Sequence, residues 1–249
     1  MALAIVTATA KEMKAILAAL GLCPDRPRPL PPAEGVWSQA SLAGRDCYLL
    51  VTGIGIINAA WALGRLAGKA DDIEGVVNFG VAGSFDLDLL PLGAAAAVAC
   101  EIWPEYGLAN ENGIDPRGLG FALGKESEKT PVWDRINLAP QTAAKAMSLE
   151  LPAGLSQTAS LTVSAVTGAP ELRRGLFERY RAGMENMEGF ALALGCLHAR
   201  LPFLEVRTVS NLVGARPPQN WDLKLALLEL GRWASRLLTT CPSQSQNIP

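Results

Sequence analysis

The stretch Ile73-Glu74-Gly75-Val76-Val77-Asn78-Phe79 runs directly into Gly80-Val81-Ala82-Gly83. A short, nearly continuous apolar run bounded by glycine reads as a strand buried on both faces, because a strand with one wet face alternates apolar and polar residues. The same kind of run recurs outward in both directions: Ala2–Ala8, Asp46–Thr52, Ala94–Ile102, Thr158–Val166 and Pro202–Ser210 are strand-like. Helical segments lie between them. Lys11–Leu20 places Met13, Ile16, Leu17 and Leu20 at helical spacing, and Asn58–Leu66, Glu171–Tyr180, Met187–Ala199 and the amphipathic Asp222–Leu238 follow. Apolar strands alternating with helices predict an α/β sheet covered on both faces. No composition break or internal repeat divides the chain, so residues 1–240 are expected to form a single domain and 241–249 a polar, frayed C-terminal tail. Pro24–Pro32 is expected to be an irregular surface segment, and Pro104–Thr130, rich in Gly, Asn, Glu and Lys without a period, a long loop.

The bulk numbers narrow the function. The 249 residues are 49% hydrophobic and 18% charged, which suits a globular protein with a substantial core. The formal net charge is −2, and the one local basic cluster (Arg173, Arg174, Arg179, Arg181) is diluted by Glu171 and Glu178, so charge gives nucleic-acid binding no support. The apolar start lacks a positive n-region and meets Lys11-Glu12 at once, so it reads as a buried first strand rather than a signal peptide. No uninterrupted apolar run reaches the ~18 residues of a membrane span. The five cysteines (Cys23, Cys47, Cys100, Cys196, Cys241) form no CxxC pair, and the single histidine, His198, has one cysteine near it. Neither a zinc site nor a disulfide framework is expected, no metal or cofactor is called for, and a reducing cytoplasm is the natural compartment.

Ligands of α/β sheets bind outside the carboxyl ends of the strands. Four such ends carry small or polar residues: Thr52-Gly53-Ile54-Gly55, Gly80-Val81-Ala82-Gly83, Thr167-Gly168 and Ser210-Asn211. Gly53-Ile54-Gly55 is not a dinucleotide fingerprint, since Asn58 occupies the third glycine position and no acid ends the next strand. Glu185-Asn186-Met187-Glu188-Gly189 sets a carboxylate at the start of an apolar helix, where the helix dipole favours it whether or not it meets a ligand. Arg207 is open to a second reading as a structural ion pair, Thr167-Gly168 as a strand-ending turn, and Trp221 as a lid, an interface aromatic or a core residue. His198 reads as structural and Lys11 as a solvated helix-start charge.

Five pieces taken in order carry a resemblance. They are the first strand with Ala10-Lys11-Glu12, then Gly53-Ile54-Gly55, Asn78-Phe79-Gly80-Val81-Ala82-Gly83, Met187-Glu188 and Arg207-Thr208-Val209-Ser210-Asn211. In order and spacing they resemble the methylthioadenosine/adenosylhomocysteine nucleosidases and their nucleoside phosphorylase relatives, from the first strand to about residue 216. Within that superfamily, Glu185–Gly189, Ser210–Arg216 and the loop from Glu105-Tyr106-Gly107 to Gly120-Phe121 resemble the futalosine hydrolases, which release hypoxanthine from futalosine in an alternative menaquinone pathway. The resemblance implies a three-layer α/β/α fold around a central mixed, twisted sheet, a small-molecule purine nucleoside as substrate, and a homodimer or higher homo-oligomer.

Cleaving an N-glycosidic bond develops positive charge on the ribose and negative charge on the leaving base, so the site needs an anion by the sugar, donors at the base and a poised nucleophile. By resemblance, Glu188 accepts from the ribose hydroxyls, Met187 packs on the sugar, Glu12 orients and deprotonates water, and Arg207 stands near that water. Ala82, Gly83, Thr167 and Gly168 would line the base pocket. The first helical turn is expected to keep Glu12 ionised. Asn211 departs from the adenine-specific relatives, which have an aspartic acid there. A neutral amide offers two donors and one acceptor, which suits N7 and O6 of a 6-oxopurine; losing such a donor costs about 2.7–4 kcal/mol in the transition state. Thr7-Ala8-Thr9-Ala10 and Asn78-Phe79-Gly80 lack the arginines that phosphorylases bring to phosphate, so water is the expected nucleophile. Val81 replaces the serine usual near that water. The benzoate end of futalosine has the 105–121 loop and Arg216 as candidates. An adenine-specific nucleosidase and a non-catalytic nucleoside-binding relative remain as alternatives.

Overall fold

In β1 (Ala2–Thr7) the side chains of Leu3 and Ile5 enter one apolar cluster, and those of Ala4 and Val6 another, with all four fully buried. Successive strand residues point to opposite faces, so a strand apolar at every position requires cover on both sides. The computed structural model describes residues 1–20, 29–127, 129–215 and 220–239. The remaining elements in chain order are α1 (Ala10–Ala19), β2 (Trp37–Leu42), β3 (Arg45–Val51), α2 (Ile56–Ala67), β4 (Ile73–Ser84), β5 (Ala95–Ile102), β6 (Leu108–Asn110), β7 (Gly113–Asp115), β8 (Gly124–Ser127), β9 (Thr130–Val132), β10 (Arg135–Asn137), α3 (Pro140–Ala146), β11 (Ser156–Thr162), α4 (Pro170–Tyr180), β12 (Met184–Asn186), α5 (Gly189–Ala199), β13 (Phe203–Leu212) and α6 (Leu223–Thr239).

The expected α/β/α layering is what forms. Leu3, Ile5, Val77 and Phe79 pack under α1, α3 and α6 through Met13, Ile16, Leu17, Met147, Leu230 and Leu237. Ala4, Val6 and Val76 pack under α2 and α5 through Ala59, Leu63, Leu66, Phe190 and Cys196. The sheet is mixed: β1 runs parallel to β3 and β4, and β13 parallel to β4, while β2, β10 and β12 add antiparallel pairings. Because β13 bonds to both β4 and β5, the strands β4, β12, β11, β5 and β13 close on one another in a ring.

Several boundaries differ from the sequence reading, each for a physical reason. β4 does not stop at Phe79 but continues through the glycines to Ser84. Those glycines are there for close approach: a Cβ on Gly80 would collide with Arg207 Nη1, and one on Gly83 would lie 3.1 Å from Asn211 Nδ2. β11 ends at Thr162 rather than Val166. α5 begins at Gly189, so Met187 and Glu188 precede it. The edge strand β2, Trp-Ser-Gln-Ala-Ser-Leu, has too weak an apolar pattern to stand out, and β12 is too short to show a period. The long loop contains two small hairpins, β6–β7 and β8–β9. Pro24–Arg28, Arg216 and the 241–249 tail lie outside the described residues.

Candidate active site

The carboxyl ends of β1, β3, β4 and β13 meet around a cavity of about 300 Å³. Glu12 and Glu188, 176 positions apart in the chain, both line it. Met187, Ala82, Gly83, Thr167 and Asn211 line it too, as do Glu185, Ser210 and Trp221.

Glu12 is placed by the start of α1. Thr9 caps the helix and accepts from the Glu12 N–H at 3.3 Å, while the Thr9 N–H and hydroxyl both donate to Glu12 Oε2 at 2.8 Å. This reciprocal capping box fixes the side chain from its own helix. From the sheet, the Val81 N–H donates to Oε1 at 3.0 Å. The carboxyl is 4% exposed, and burial raises its pKa above the ordinary 4.5. The Val81 N–H, the Thr9 hydroxyl and the Arg207 charge oppose that rise, and Glu188 adds to it. Desolvation thus outweighs the helix start and moves Glu12 upward from the ordinary carboxylate value. A base moved toward neutrality is a stronger proton acceptor at physiological pH.

Glu188 is the N-cap residue of α5 rather than a member of its first turn. Its Oε1 accepts from the Gly55 N–H at 3.0 Å, which is the task of the Gly53-Ile54-Gly55 turn, and its Oε2 lies 3.4 Å from Arg207 Nη1. The cap donors of α5 go elsewhere: Asn186 Oδ1 accepts from the N–H groups of Glu188 (2.9 Å) and Gly189 (2.8 Å), and the Thr162 hydroxyl accepts from Phe190 (2.8 Å). The Glu188 side chain is thus released from capping to face the cavity.

Arg207 does not line the cavity. It is 1% exposed, lies behind Gly80, donates Nε–H to Glu205 Oε1 at 2.7 Å and reaches the Val81 carbonyl at 3.3 Å. It is therefore a buried ion pair that also touches the site carboxylate. Asn211 is oriented by its neighbours: the Ser210 hydroxyl donates to Oδ1 at 2.8 Å and Nδ2 donates to the Leu212 carbonyl at 3.1 Å. With one lone pair of Oδ1 and one N–H engaged by these neighbours, the amide keeps one N–H and one acceptor site to offer the cavity.

Thr167 and Gly168 separate. Thr167 lines the cavity, but its N–H (2.9 Å) and hydroxyl are donated to Glu185 and its carbonyl accepts from the Gly214 N–H, while Gly168 is exposed and outside the lining. Backbone presentation by this pair is largely spent inside the protein. Trp221 sits at the rim, half-buried, with Nε1 donating to the Ala215 carbonyl at 3.2 Å. None of residues 105–121 lines the cavity; Glu105 instead accepts from the Ser164 N–H at 3.0 Å. His198 lies in the last turn of α5 and Lys11 is exposed. Among the described residues no His/Cys/Asp/Glu group is arranged to hold a metal ion, and no helix is long and apolar enough to cross a membrane.

Sequence reasoning gave no role to Glu185, which clamps Thr167, to Asn186, which also lines the cavity, or to Glu101 and Glu205 behind it. Their signal was acids and amides inside otherwise apolar strands, where an ionisable group is rare unless paired.

Comparison with known proteins identifies the family. The sequence profile described as "Phosphorylase superfamily" matches residues 2–240. A futalosine hydrolase of Thermus thermophilus is 35% identical over 198 residues, covering 79% of this chain and 83% of the relative. A 5'-methylthioadenosine/S-adenosylhomocysteine nucleosidase of Marinomonas sp. is 29% identical over 189 residues, 74% of this chain and 76% of the relative. Among solved structures, a futalosine hydrolase mutant of Helicobacter pylori strain 26695 superposes with a TM-score of 0.70 at 16% identity, covering 95% of this chain and 97% of that one, a likeness of fold.

Proposed function

The chain belongs to the phosphorylase superfamily, and we propose that it is a purine-nucleoside N-glycosidase that hydrolyses futalosine to hypoxanthine and dehypoxanthinyl futalosine, a step of menaquinone biosynthesis. The observation that carries this reading is that Glu12 and Glu188 share one cavity with the Asn211 amide. The similarity to the Thermus thermophilus futalosine hydrolase supports the choice of substrate.

Glu188 accepts the ribose hydroxyls, and Met187 packs against the sugar. As the bond from C1′ to N9 lengthens, the negative carboxylates stabilise the cationic ribose. Glu12 takes a proton from water as the water oxygen bonds to C1′, and the electron pair of the broken bond leaves with the purine. Asn211 donates to the electron-rich edge of the base, and solvent supplies the proton the base finally carries. Arg207 acts from behind the wall, through Glu188 and Val81. Water rather than phosphate is the nucleophile: the described cavity lining contains no lysine or arginine, and Arg207 is committed to Glu205 and Glu188. A dianion would have no free guanidinium to meet it.

The enzyme is placed in the cytoplasm, in keeping with the free thiols Cys47, Cys100 and Cys196. It acts as a homodimer or higher homo-oligomer, a reading supported by Ile57 (84% exposed) and Trp61 (55% exposed) on the outer side of α2. Light scattering on the purified chain tests the assembly. The decisive experiment measures base release from futalosine, inosine and methylthioadenosine with and without phosphate. Hypoxanthine release from futalosine, fastest of the three and independent of phosphate, is the expected result. Faster release of adenine from methylthioadenosine would replace the substrate assignment, and tight binding without release would replace the enzyme by a binding protein.

A further inference from the structure

Around Arg207, at and behind the cavity wall, lies a polar network whose other members the chemistry above does not use, and each strand of the closed ring contributes to it. β4 gives Asn78, β5 gives Glu101, β11 gives Ser160 and Thr162, β12 gives Asn186, and β13 gives Glu205 and Arg207, all buried. Glu205 Oε1 accepts from Arg207 Nε at 2.7 Å and from Asn78 Nδ2 at 3.3 Å. Asn186 Nδ2 donates to Glu101 Oε1 and Ser160 Oγ, each at 2.7 Å, and Asn186 Oδ1 lies 3.4 Å from Arg207 Nη2. The Thr162 hydroxyl donates to Glu101 Oε2.

Two observations mark the pair Glu101 and Glu205. Both are 0% exposed, and they crowd the same point under the start of α5, where a Cβ on Gly189 would collide with an oxygen of each. Glu205 Oε2 is buried with no hydrogen-bond donor among the described residues, although the Glu101 carboxyl crowds the same point. Two ionised carboxylates cannot hydrogen-bond to each other, and a buried acceptor left unsatisfied is costly. One proton on the pair removes both difficulties.

We propose that Glu101 and Glu205 share a single proton and act as a positioning pair, holding Arg207 by one negative charge so that Glu188 stays available to the sugar. The charge balance explains why one proton is needed. With both acids ionised, Arg207 would face four buried carboxylates, Glu12, Glu101, Glu188 and Glu205, in a site with little water to screen them. With none ionised, Arg207 would have Glu188 as its nearest anion and would draw it off the ribose hydroxyls. One charge on the pair anchors the guanidinium through Nε and leaves Nη1 3.4 Å from Glu188, a loose contact. Burial and the Glu205 charge both raise the Glu101 pKa well above the ordinary range, the direction that a retained proton requires.

The pair is tested by isosteric amides. Glu101→Gln leaves the negative charge on Glu205, against Arg207, and supplies an amide donor beside it, so it is expected to keep kcat within about threefold of wild type. Glu205→Gln leaves the charge on Glu101, off the guanidinium contact, and is expected to lose more than Glu101→Gln but less than the double variant. The double variant has no charge there. Its kcat should fall about 10- to 100-fold, the range for losing a charge-assisted hydrogen bond, with a raised KM. Wild-type turnover should also decline at alkaline pH as the shared proton leaves, and Glu101→Gln should lose that limb because an amide cannot ionise. A single variant as damaged as the double, or an alkaline limb unchanged in Glu101→Gln, overturns the proposal. The turnover arms rest on the hydrolase reading, but the proton does not. Infrared spectra of the wild type at neutral pH should show a protonated-carboxyl stretch that Glu101→Gln lacks, and its absence from the wild type defeats the shared proton whatever the substrate is.

Discussion

At one end of the cavity Glu12 and Glu188 are held from four directions, by Thr9, Val81, Gly55 and Arg207; at the other end the Asn211 side chain is held by its chain neighbours, Ser210 and Leu212. The first end is ionic, and moving one group leaves another charge buried without its partner. At the second the group facing the base is an uncharged amide, and a change in it disturbs little beyond the base. The difference separates two jobs: the carboxylate end lowers the barrier, and the amide end chooses the purine. Substitutions at the first should therefore remove turnover, and substitutions at the second should redirect it.

The largest effect is expected from Glu12→Gln. The amide keeps the shape of the capping box but cannot take a proton, so base release should fall about 10²- to 10⁴-fold while the far-ultraviolet circular dichroism is unchanged. Wild-type rates from this variant would take Glu12 out of the mechanism and dissolve the distinction between the two ends. Because burial raises the Glu12 pKa, the acid limb of the kcat/KM profile should lie above the ordinary 4.5. A limb at or below that value would mean another group titrates.

Glu188→Gln comes next. Losing charge-assisted bonds to the sugar hydroxyls costs about 1.5–3 kcal/mol, or about 10- to 100-fold in kcat/KM. A 2′,3′-dideoxynucleoside substrate should show no such difference between wild type and variant; equal losses on both substrates would mean that Glu188 acts away from the ribose.

At the neutral end, Asn211→Asp should change selectivity more than rate. A carboxyl can accept from a 6-amino group, where the wild-type amide has one lone pair of its acceptor engaged by Ser210. The ratio of adenine to hypoxanthine release is expected to rise about tenfold, the scale of one differential hydrogen bond. An unchanged ratio would place base recognition elsewhere, with Glu185 and Thr167 the nearest alternatives in the cavity.

The sequence made the two ends unequally legible. Apolar runs such as Ile73–Phe79 announce buried strands because every position must be covered, and Glu12 and Asn211 stand where such strands end or helices begin. Arg207 was visible, but its place behind Gly80 was not, since the packing of a side chain against a glycine on a neighbouring strand is a tertiary fact. Thr9, three residues before Glu12, carries a capping-box spacing that fixes the carboxylate, and that signal was present in the chain. The closed strand ring was hidden, because β12 has only three residues and joins β4 by pairing partners far apart in sequence. With the ring hidden, Glu101 and Glu205 were isolated acids in apolar strands rather than neighbours.

The smallest effect is on stability, and it follows from those acids. Burial raises the pKa of Glu12, Glu101 and Glu205 above the ordinary 4.5. Between that value and the raised ones, the folded chain holds protons that the unfolded chain has released, so stability must fall as pH rises through the window. This is opposite to a protein whose carboxylates are stabilised as anions by salt bridges. Each kcal/mol of the trend moves Tm by about 2–4 °C for a chain of this size. Thermal melts from the ordinary carboxylate range to alkaline pH should show the decline, and Glu101→Gln, which has no proton to surrender, should flatten it more than Glu12→Gln does. The two acids differ in their surroundings. Glu12 has a backbone N–H and a threonine hydroxyl that favour its anion, whereas Glu101 has the like charge of Glu205 working with its burial. A decline equally reduced by both substitutions would mean that the cavity carboxylate and the network behind it titrate as one unit rather than two.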